Sequence, residues 1–401
     1  MMTKEQLHKK TVELCGKLIQ TPSCSGEEQA VAALTAREMR ELGYDEVRID
    51  ACGNVIGCLR GKRPGARVLL DGHVDTVPVQ ERERWSFDPF CGTVADGKMR
   101  GRGASDMKGA VAAMIVGAAY FAEACGRDFA GEIYVAGVVY EELFEGVSAR
   151  RISEVVRPDY VIIGEASDLN LKIGQRGRAE IVVETIGKPA HSSNPEKGVN
   201  AVKKMMRLLA ALEDYKPRHQ AHLGVAIQEL TDIISYPYPG ASVVPQRCVA
   251  TLDRRLLVGD TPESVLAPIR AIIDRLSAED PQFSAKVSIR EESKVCYTGE
   301  TIAAQRFFPA WLYAEDDDFV VNCFEALQEL GDDPILTHYS FCTNGSHYAG
   351  EAHIPTVGYG PSPESLAHTI DEYVSVSQLT RAAEGYAALI AALLRTGIGE
   401  R

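Results

Sequence analysis

The sequence lacks several features that mark specialised classes of protein. Its ten cysteines are scattered without a C-x-x-C pair, which favours reduced thiols in a cytoplasmic protein over a disulfide framework. Basic charge is in deficit, since 43 Lys and Arg against 56 Asp and Glu give a formal net charge of −13. Because nucleic acids and anionic membranes attract clustered Lys and Arg, neither is an expected partner. The first ten residues carry no apolar segment, so no secretory signal is predicted.

The composition is that of an ordinary folded protein with more than one domain. The 401 residues are 45% hydrophobic and 25% charged. Since a domain typically has roughly 100–200 residues, the length predicts two or three domains. The longest apolar run, 109–122, is too short for a bilayer and predicts a buried helix.

The pattern of helices and strands changes twice along the chain. Strand and helix patterns alternate over 1–178 and again over 294–401, which predicts one α/β domain with a mostly parallel sheet flanked by helices. Between them, 179–293 follows the order β-α-β-β-α-β, which is typical of an α+β sandwich of the ferredoxin-like kind. This middle segment is therefore predicted to be a domain inserted into the first.

Residues of the types that bind metals recur in loops that follow predicted strands. The segments are Gly72-His73-Val74-Asp75, Ser105-Asp106-Met107-Lys108-Gly109, Tyr140-Glu141-Glu142, Gly164-Glu165 and Ala367-His368-Thr369. Imidazole and carboxylate ligands without thiolate suit zinc, manganese or cobalt. Two His and several carboxylates exceed the needs of one tetrahedral zinc, and they suit two metals roughly 3.5–4 Å apart.

Each of these segments has an ordinary alternative when it is taken alone. A single His after a strand is more often a surface or core residue, and the pair Glu141-Glu142 could lie on a solvated face. The segment 101–106 begins like a G-x-G-x-x-G nucleotide loop, but Asp106 stands where the last glycine is needed. Because the five segments occur together and each follows a strand, the two-metal hypothesis is preferred.

Longer motifs around these segments resemble one enzyme family. They are LLDGHVDTVP (69–78), GRGASDMKGAVAAM (101–114), YEE (140–142), IGEAS (163–167), HSSNPEKGVNA (191–201) and GYGP…AHTIDEYV (358–374). The chain resembles the M20 dinuclear zinc peptidases and deacylases, which include acetylornithine deacetylase and succinyl-diaminopimelate desuccinylase. The resemblance covers nearly the whole chain, and its details look most like a branch described as selenium-metabolism-linked hydrolases.

The resemblance implies a zinc-exopeptidase-like catalytic domain that holds two divalent ions, most simply zinc, with cobalt or manganese as alternatives. It implies that His73 and Glu165 hold one ion, that Glu142 and His368 hold the other, and that Asp106 bridges the two. The family also implies a cis peptide bond directly after the bridging Asp106.

Further roles around the metals follow from the same resemblance. Glu141 is expected to be the general base and later the acid, and Asp75 is expected to orient His73. The inserted domain is expected to build a homodimer and to supply His191, which stabilises the oxyanion. Whether His191 acts in its own subunit or across the dimer stays open.

The expected substrate is a small N-acyl amino acid or a dipeptide with a free carboxylate beside the scissile amide. Glu165, where the aminopeptidase branch has Asp, points in that direction by resemblance. Arg255 is expected to bind the carboxylate, although its neighbour Arg254 is an alternative, and Asn344 is a further candidate for substrate binding. An aminopeptidase-type dipeptidase or tripeptidase and a non-catalytic metal-binding relative are the competing interpretations.

Overall fold

The computed structural model describes residues 1–395 of the chain. Its helices are α1 (Lys4–Ile19), α2 (Gln29–Glu41), α3 (Gly109–Ala124), α4 (Ala149–Val156), α5 (Ala201–Leu212), α6 (Pro262–Glu279), α7 (Asp318–Glu329) and α8 (Val376–Arg395). The strands of the first half, in chain order, are β1 (Glu46–Ile49), β2 (Val55–Arg60), β3 (Arg63–His73), β4 (Thr93–Ala95), β5 (Lys98–Arg100), β6 (Ala130–Val138), β7 (Tyr160–Ile163), β8 (Leu171–Gln175) and β9 (Gly177–Ile186). The later strands are β10 (His219–Gln220), β11 (Gly224–Val225), β12 (Ile227–Tyr236), β13 (Arg247–Leu256), β14 (Ala285–Ile289), β15 (Glu291–Val295), β16 (Thr301–Gln305), β17 (Phe307–Phe308), β18 (Trp311–Leu312), β19 (Leu336–Tyr339), β20 (Thr356–Gly358) and β21 (Tyr373–Ser375).

The chain divides into two compact units. Unit 1 contains Met1–Gln175, Ser293–Ala303 and the described chain from Trp311 onward, and unit 2 contains Arg176–Glu292 and Ala304–Ala310. The inserted domain was predicted over 179–293, so the observed unit also includes a short later segment. β15 carries the chain from unit 2 to unit 1, and β16 carries it back. The catalytic and dimerisation roles assigned to these parts stay predictions.

Unit 1 is built on a nine-stranded sheet in the order β1-β2-β6-β3-β7-β20-β8-β18, with β19 paired to β8. The four central strands, from β6 to β20, run parallel, whereas β1, β2 and β18 pair antiparallel at the flanks. The sheet is therefore mixed, and it is parallel where the predicted ligand segments follow the strands. Helices cover it, as expected for an α/β domain.

Helix α3 is buried because nearly every side chain on it is small and apolar. It packs against α1 and α8, and at Gly117 a Cβ would come within 2.5 Å of the carbonyl oxygen of Ala383. By length and composition alone the stretch Ala104–Ala124 could cross a membrane, but 78% of its apolar window is buried inside the protein. That burial is typical of a core helix and agrees with the helix predicted for the apolar run.

Unit 2 is an antiparallel sheet in the order β12-β13-β9-β14, with α5 and α6 packed on it. Strand β9 alternates strictly between buried and half-buried residues, and its inward side chains Ala179, Ile181 and Val183 contact the helices. The element order β9-α5-β12-β13-α6-β14 is the predicted β-α-β-β-α-β order. Strand β12 forms one edge, and most of its residues are exposed.

Candidate active site

The sheet of unit 1 brings three of the predicted ligand segments to one edge. β3 ends at His73, which is in register with Val138 at the end of β6, and Asp71 is in register with Ile163 at the end of β7. Because these three strands run parallel, the residues that follow them emerge at the same carboxyl edge. Glu141 and Glu142 follow β6, and Glu165 follows β7.

The five predicted ligands form a continuous cluster at this edge. The Nε2 atom of His73 lies 2.9 Å from Oδ1 of Asp106 and 3.5 Å from Oε1 of Glu165. The Nε2 atom of His368 lies 2.9 Å from Oε2 of Glu142 and 3.2 Å from Oδ2 of Asp106. Each imidazole is thus grouped with the carboxylate that the family resemblance pairs with it.

Asp106 stands between the two groups, with one carboxylate oxygen facing each imidazole. The peptide bond between Asp106 and Met107 is cis, which confirms the prediction made from the resemblance. His368 and Tyr140, the residue before Glu141, both have positive φ of 62°. Such backbone conformations are uncommon outside glycine and are often found at functional sites.

The donors in this cluster fit divalent cations. His73, Asp106 and Glu142 form one group in which single ligand atoms all lie within 4.8 Å of one another, and His73, Glu141 and Glu165 form another. The Oε1 atom of Glu141 is buried and has no hydrogen-bond partner among the described residues. Acidic groups outnumber imidazoles, so bound cations would balance charge that the protein leaves uncompensated.

Burial and mutual repulsion change the protonation of these carboxylates. Burial raises the pKa of Glu141 well above its usual value, the His73 ring partly lowers it, and Glu165 raises it further. Burial and the nearby Asp106 raise the pKa of Glu142 to about 7. Carboxylates forced together in this way take up a proton or a metal ion readily.

Asp75 holds the backbone of the neighbouring segment and also contacts His73. The Nδ1 atom of His73 is 2.9 Å from the backbone carbonyl of Asp75, whereas the Asp75 carboxylate lies 3.6 Å away. That carboxylate accepts hydrogen bonds from the backbone N–H groups of Glu141 and Glu142 and from the Ser25 hydroxyl. Asp75 therefore orients the ring mainly through its carbonyl, and its carboxylate fixes the Glu141-Glu142 backbone.

Two buried glutamates behind the cluster were missed in the sequence. Glu372 accepts hydrogen bonds from the backbone N–H groups of Gly103, Ser105 and Asp106, and it pairs with Arg102. It lies four residues after His368 inside a motif that was noticed, and that spacing is the signal that could have identified it.

Glu28 is the other residue that the sequence gave no reason to select. Its Oε1 atom accepts hydrogen bonds from the backbone N–H groups of Gly26 and Tyr140. It thereby anchors the residue directly before Glu141. Nothing in the local sequence of Glu28 signals this contact, which joins positions 112 residues apart.

Asn344 is buried in unit 1, and its amide is already engaged by the protein. Its Nδ2 atom donates to the Asp71 carboxylate at 2.9 Å, and its Oδ1 atom accepts from the Gly146 N–H at 2.8 Å. Tyr348 donates to the same Asp71 carboxylate. These contacts give Asn344 a role in supporting the end of β3, and its predicted contact with substrate stays a prediction.

The remaining predicted site residues belong to unit 2. His191 is exposed, and its Nδ1 atom lies 2.7 Å from the Ser193 hydroxyl. Arg255 is half-buried on β13 and pairs with Asp253, whereas Arg254 is buried against the Tyr215 ring. Arg255 is the more accessible of the two arginines, so it is the better candidate for a ligand from outside.

Comparison with known proteins shows the family of the chain. Residues 69–392 match the peptidase family M20/M25/M40. The chain is 34% identical to the uncharacterized protein YgeY of Escherichia coli strain K12 over 386 residues, which cover 94% of this chain and 93% of that one. It is 27% identical to succinyl-diaminopimelate desuccinylase 2 of Ruegeria sp. strain TM1040, covering 92% and 91% of the two chains.

A solved structure shows the same fold. The YxeP protein of Bacillus subtilis, described as a dinuclear metal binding peptidase from the M20 family, superposes with a TM-score of 0.74 at 16% identity, covering 98% of this chain and 99% of that one. The predicted family resemblance and fold class are confirmed. The chain therefore belongs to peptidase family M20/M25/M40, and it is a metal-dependent hydrolase of amide bonds.

Proposed function

We propose that the protein hydrolyses the amide bond of a small N-acyl amino acid or dipeptide that carries a free carboxylate. The observation that carries this proposal is the cluster in unit 1, where Asp106 stands between a His73–Glu165 group and a His368–Glu142 group. In the proposal these five residues hold two divalent ions, with zinc preferred for its fit to imidazole and carboxylate. When bound, such ions supply Lewis-acid polarisation of the scissile carbonyl and acidify the attacking water.

Glu141 is proposed as the general base and later the acid. Its carboxylate is buried, its Oε1 atom has no partner among the described residues, and Asp75 fixes its backbone N–H. A buried carboxylate whose pKa is raised can take a proton from water and return it to the leaving amine. An oxygen of its carboxylate lies 3.9 Å from the Nε2 atom of His73, a contact that supports the proposed role.

Two residues of unit 2 complete the proposed chemistry. His191 would donate a hydrogen bond to the oxyanion, in its own subunit or in a partner's, and one such donor is typically worth about 2.7–4 kcal/mol. Arg255 would bind the substrate carboxylate, because its planar guanidinium can make two parallel hydrogen bonds to a carboxylate. This contact would fix the orientation of the bound substrate.

The test compares wild-type protein with Glu141→Gln on a panel of N-acetyl and N-succinyl amino acids and dipeptides. We expect Glu141→Gln to bind the same two metal equivalents and to lose activity by about 10²–10⁴-fold, because a proton-transfer group is removed without removing a ligand. Glu325→Gln, on an exposed face of α7, is the matched control and should keep full activity. Normal turnover by Glu141→Gln would remove Glu141 from the mechanism.

The same panel separates the competing functions. Arg255→Ala should raise KM mainly for substrates with a free carboxylate. Cleavage of peptides without a nearby carboxylate, together with indifference to Arg255→Ala, would favour an aminopeptidase. Tight metal binding with no turnover of any substrate would favour a non-catalytic relative.

We also propose a homodimer formed through unit 2. Strand β12 is an edge strand with unpaired backbone groups, and it exposes Ile227, Leu230, Ile233, Ile234 and Tyr236. An exposed apolar edge strand can pair with a second strand, and β12 of a second copy of the chain would satisfy its unpaired N–H and C=O groups. A cytoplasmic location stays a prediction, supported by ten cysteines that are all free thiols.

A further inference from the structure

Two buried cysteines of unit 1 lie side by side, outside the proposed metal ligands. Cys52 is in the loop before β2, and Cys296 begins the turn between β15 and β16. Their side chains are 0% and 3% exposed, and the two thiols are near enough for each to shift the pKa of the other. Neither thiol has a role in the proposed hydrolysis.

Contacts on both sides of the pair hold the two backbones together. The Tyr297 hydroxyl donates to the carbonyl of Gly53 at 3.1 Å, and the Thr298 hydroxyl donates to the carbonyl of Ala51 at 2.6 Å. Gly53 has φ of +104°, and a Cβ there would lie 2.2 Å from the Tyr297 ring. Glycine at this position therefore permits the close approach of the turn after β15, which carries Cys296, to the loop that carries Cys52.

The two thiols of the pair differ in the direction of their pKa shifts, which separates an attacking thiol from a resolving one. The interaction between the two thiols lowers the pKa of Cys52, and the same interaction, together with burial, raises the pKa of Cys296. Burial instead raises the pKa of Cys15 to about 12 and that of Cys58 to about 11. Because the thiolate is the nucleophile, Cys52 is the better attacking sulfur and Cys296 the resolving one.

Cys296 lies in a hairpin whose two strands both continue from unit 1 into unit 2. Residues 293–303 form the unit 1 part of the hairpin made by β15 and β16, which continues into unit 2 at both ends. The carbonyl of Val295, directly before Cys296, accepts a hydrogen bond from the Tyr140 hydroxyl at 2.9 Å. A covalent bond at Cys296 would therefore restrain the hairpin next to the residue that precedes Glu141.

We propose that Cys52 and Cys296 are an oxidisable pair that closes to a reversible disulfide in the presence of a peroxide, fastening the β15–β16 hairpin to the loop before β2. The Cys52 thiolate attacks one oxygen of hydrogen peroxide, becomes a sulfenic acid and releases hydroxide, which takes up the proton that Cys52 gave up. The Cys296 sulfur then attacks the Cys52 sulfur, and the hydroxyl leaves as water with the Cys296 proton. Two thiols are oxidised and one peroxide is reduced to two waters.

The test treats the full-length, metal-loaded protein with hydrogen peroxide and maps its peptides without reduction. We expect a cross-linked peptide joining Cys52 to Cys296 that has lost two hydrogens and that separates on addition of dithiothreitol. The thermal midpoint of unfolding should rise by about 3 °C or more, because a long loop is closed in the unfolded chain. The wild-type peptide map does not depend on the folding of any variant.

Variants assign the effect to this pair. Cys52→Ser and Cys296→Ser should each form no cross-link and show no peroxide-dependent rise in midpoint, whereas Cys125→Ser, at a half-buried cysteine elsewhere, should behave as wild type. Oxidation of half-buried Cys91 and Cys125 while Cys52 and Cys296 stay reduced would overturn the proposal. A cross-linked protein with an unchanged midpoint would overturn the fastening role.

Discussion

Glu372 is the residue on which the position of Asp106 depends most directly. Its fully buried carboxylate accepts hydrogen bonds from the backbone N–H groups of Gly103, Ser105 and Asp106, and it forms an ion pair with Arg102. Glu372→Gln leaves Arg102 buried without its counter-charge, which should lower the free energy of unfolding by about 3 kcal/mol. Because the loop that carries a proposed ligand also loosens, metal affinity should fall by roughly 10–100-fold.

Chemical denaturation and calorimetric metal titration measure the two effects of Glu372→Gln separately. Glu325→Gln on the exposed face of α7 is the control and should change neither quantity. A Glu372→Gln protein that is less stable but binds metal as tightly as wild type would contradict the positioning role, because only general packing would then be lost.

Glu28 predicts a pH dependence of stability in the metal-free protein. Burial raises its pKa to about 7, with a further contribution from Asp75, so the folded state keeps a proton that the unfolded chain releases near pH 4.5. Between these values Glu28 binds more protons in the folded state, so its contribution to the free energy of unfolding falls as the pH rises from about 4.5 to 7. Glu28→Gln cannot ionise and keeps an oxygen for the N–H groups of Gly26 and Tyr140.

Urea unfolding at pH 5 and pH 8 tests this prediction for Glu28. Glu28→Gln should lose less stability than wild type between the two pH values, and Glu325→Gln should lose as much as wild type. Identical pH dependence of wild type and Glu28→Gln would show that Glu28 is ionised in the folded protein throughout this range.

The proposed ligands could be selected from the sequence, and the supporting residue Glu28 could not. His73, Glu142 and Glu165 follow strongly apolar strands, so their convergence follows from the rule that parallel strands end at one edge. The contact of Glu28 with Tyr140 depends instead on the path of two loops, which periodicity does not report. The amide of Asn344 contacts Asp71 and Gly146, a supporting role that its motif position did not indicate, and its predicted contact with substrate stays a prediction.

The packing of α3 on α8 requires a glycine at the contact. A Cβ at Gly117 would lie 2.5 Å from the Ala383 carbonyl oxygen, and backbone atoms cannot move aside cheaply. Gly117→Ala should therefore lower the free energy of unfolding by about 1–3 kcal/mol. In an uncrowded helix the same change would raise stability by up to about 1 kcal/mol, so the sign of the effect tests the packing.

Denaturant unfolding measures this change, and Gly240→Ala serves as control because a Cβ there meets no atom closer than 3.6 Å. An increase in stability for Gly117→Ala would mean that the helices lie farther apart than described.

Long elements with a clear period were predictable, and short flanking strands were not. The helix α8 and the alternating strand β9 show a period in the sequence, because each buries one face along its whole length. The flanking strands β1 and β18 carry too few residues to show a period, and their antiparallel pairing makes the sheet mixed. The acidic run 315–318 leads into α7, which begins at Asp318, where acidic side chains complement the helix dipole.

The division of the chain into two units also follows from its pattern, with one exception. The change from alternating strands and helices to β-α-β-β-α-β order near residue 178 corresponds to the start of unit 2 at Arg176. The segment Ala304–Ala310 belongs to unit 2 because β17 pairs with β9, a contact between residues far apart in sequence. No local signal marks such a pairing, so the predicted boundary at residue 293 omitted it.

The exposed edge of unit 2 predicts the assembly state. If β12 pairs with β12 of a second copy, light scattering should give twice the chain mass of 43.6 kDa. Ile233 is 46% exposed on this strand, and Ile233→Lys places a charge at the edge, which should shift the protein to the monomer mass. Ile335→Lys, at an isoleucine that is 61% exposed in unit 1, is the control and should stay dimeric. A wild-type protein that is monomeric at micromolar concentration would end the dimer proposal, and His191 would then have to act within its own subunit.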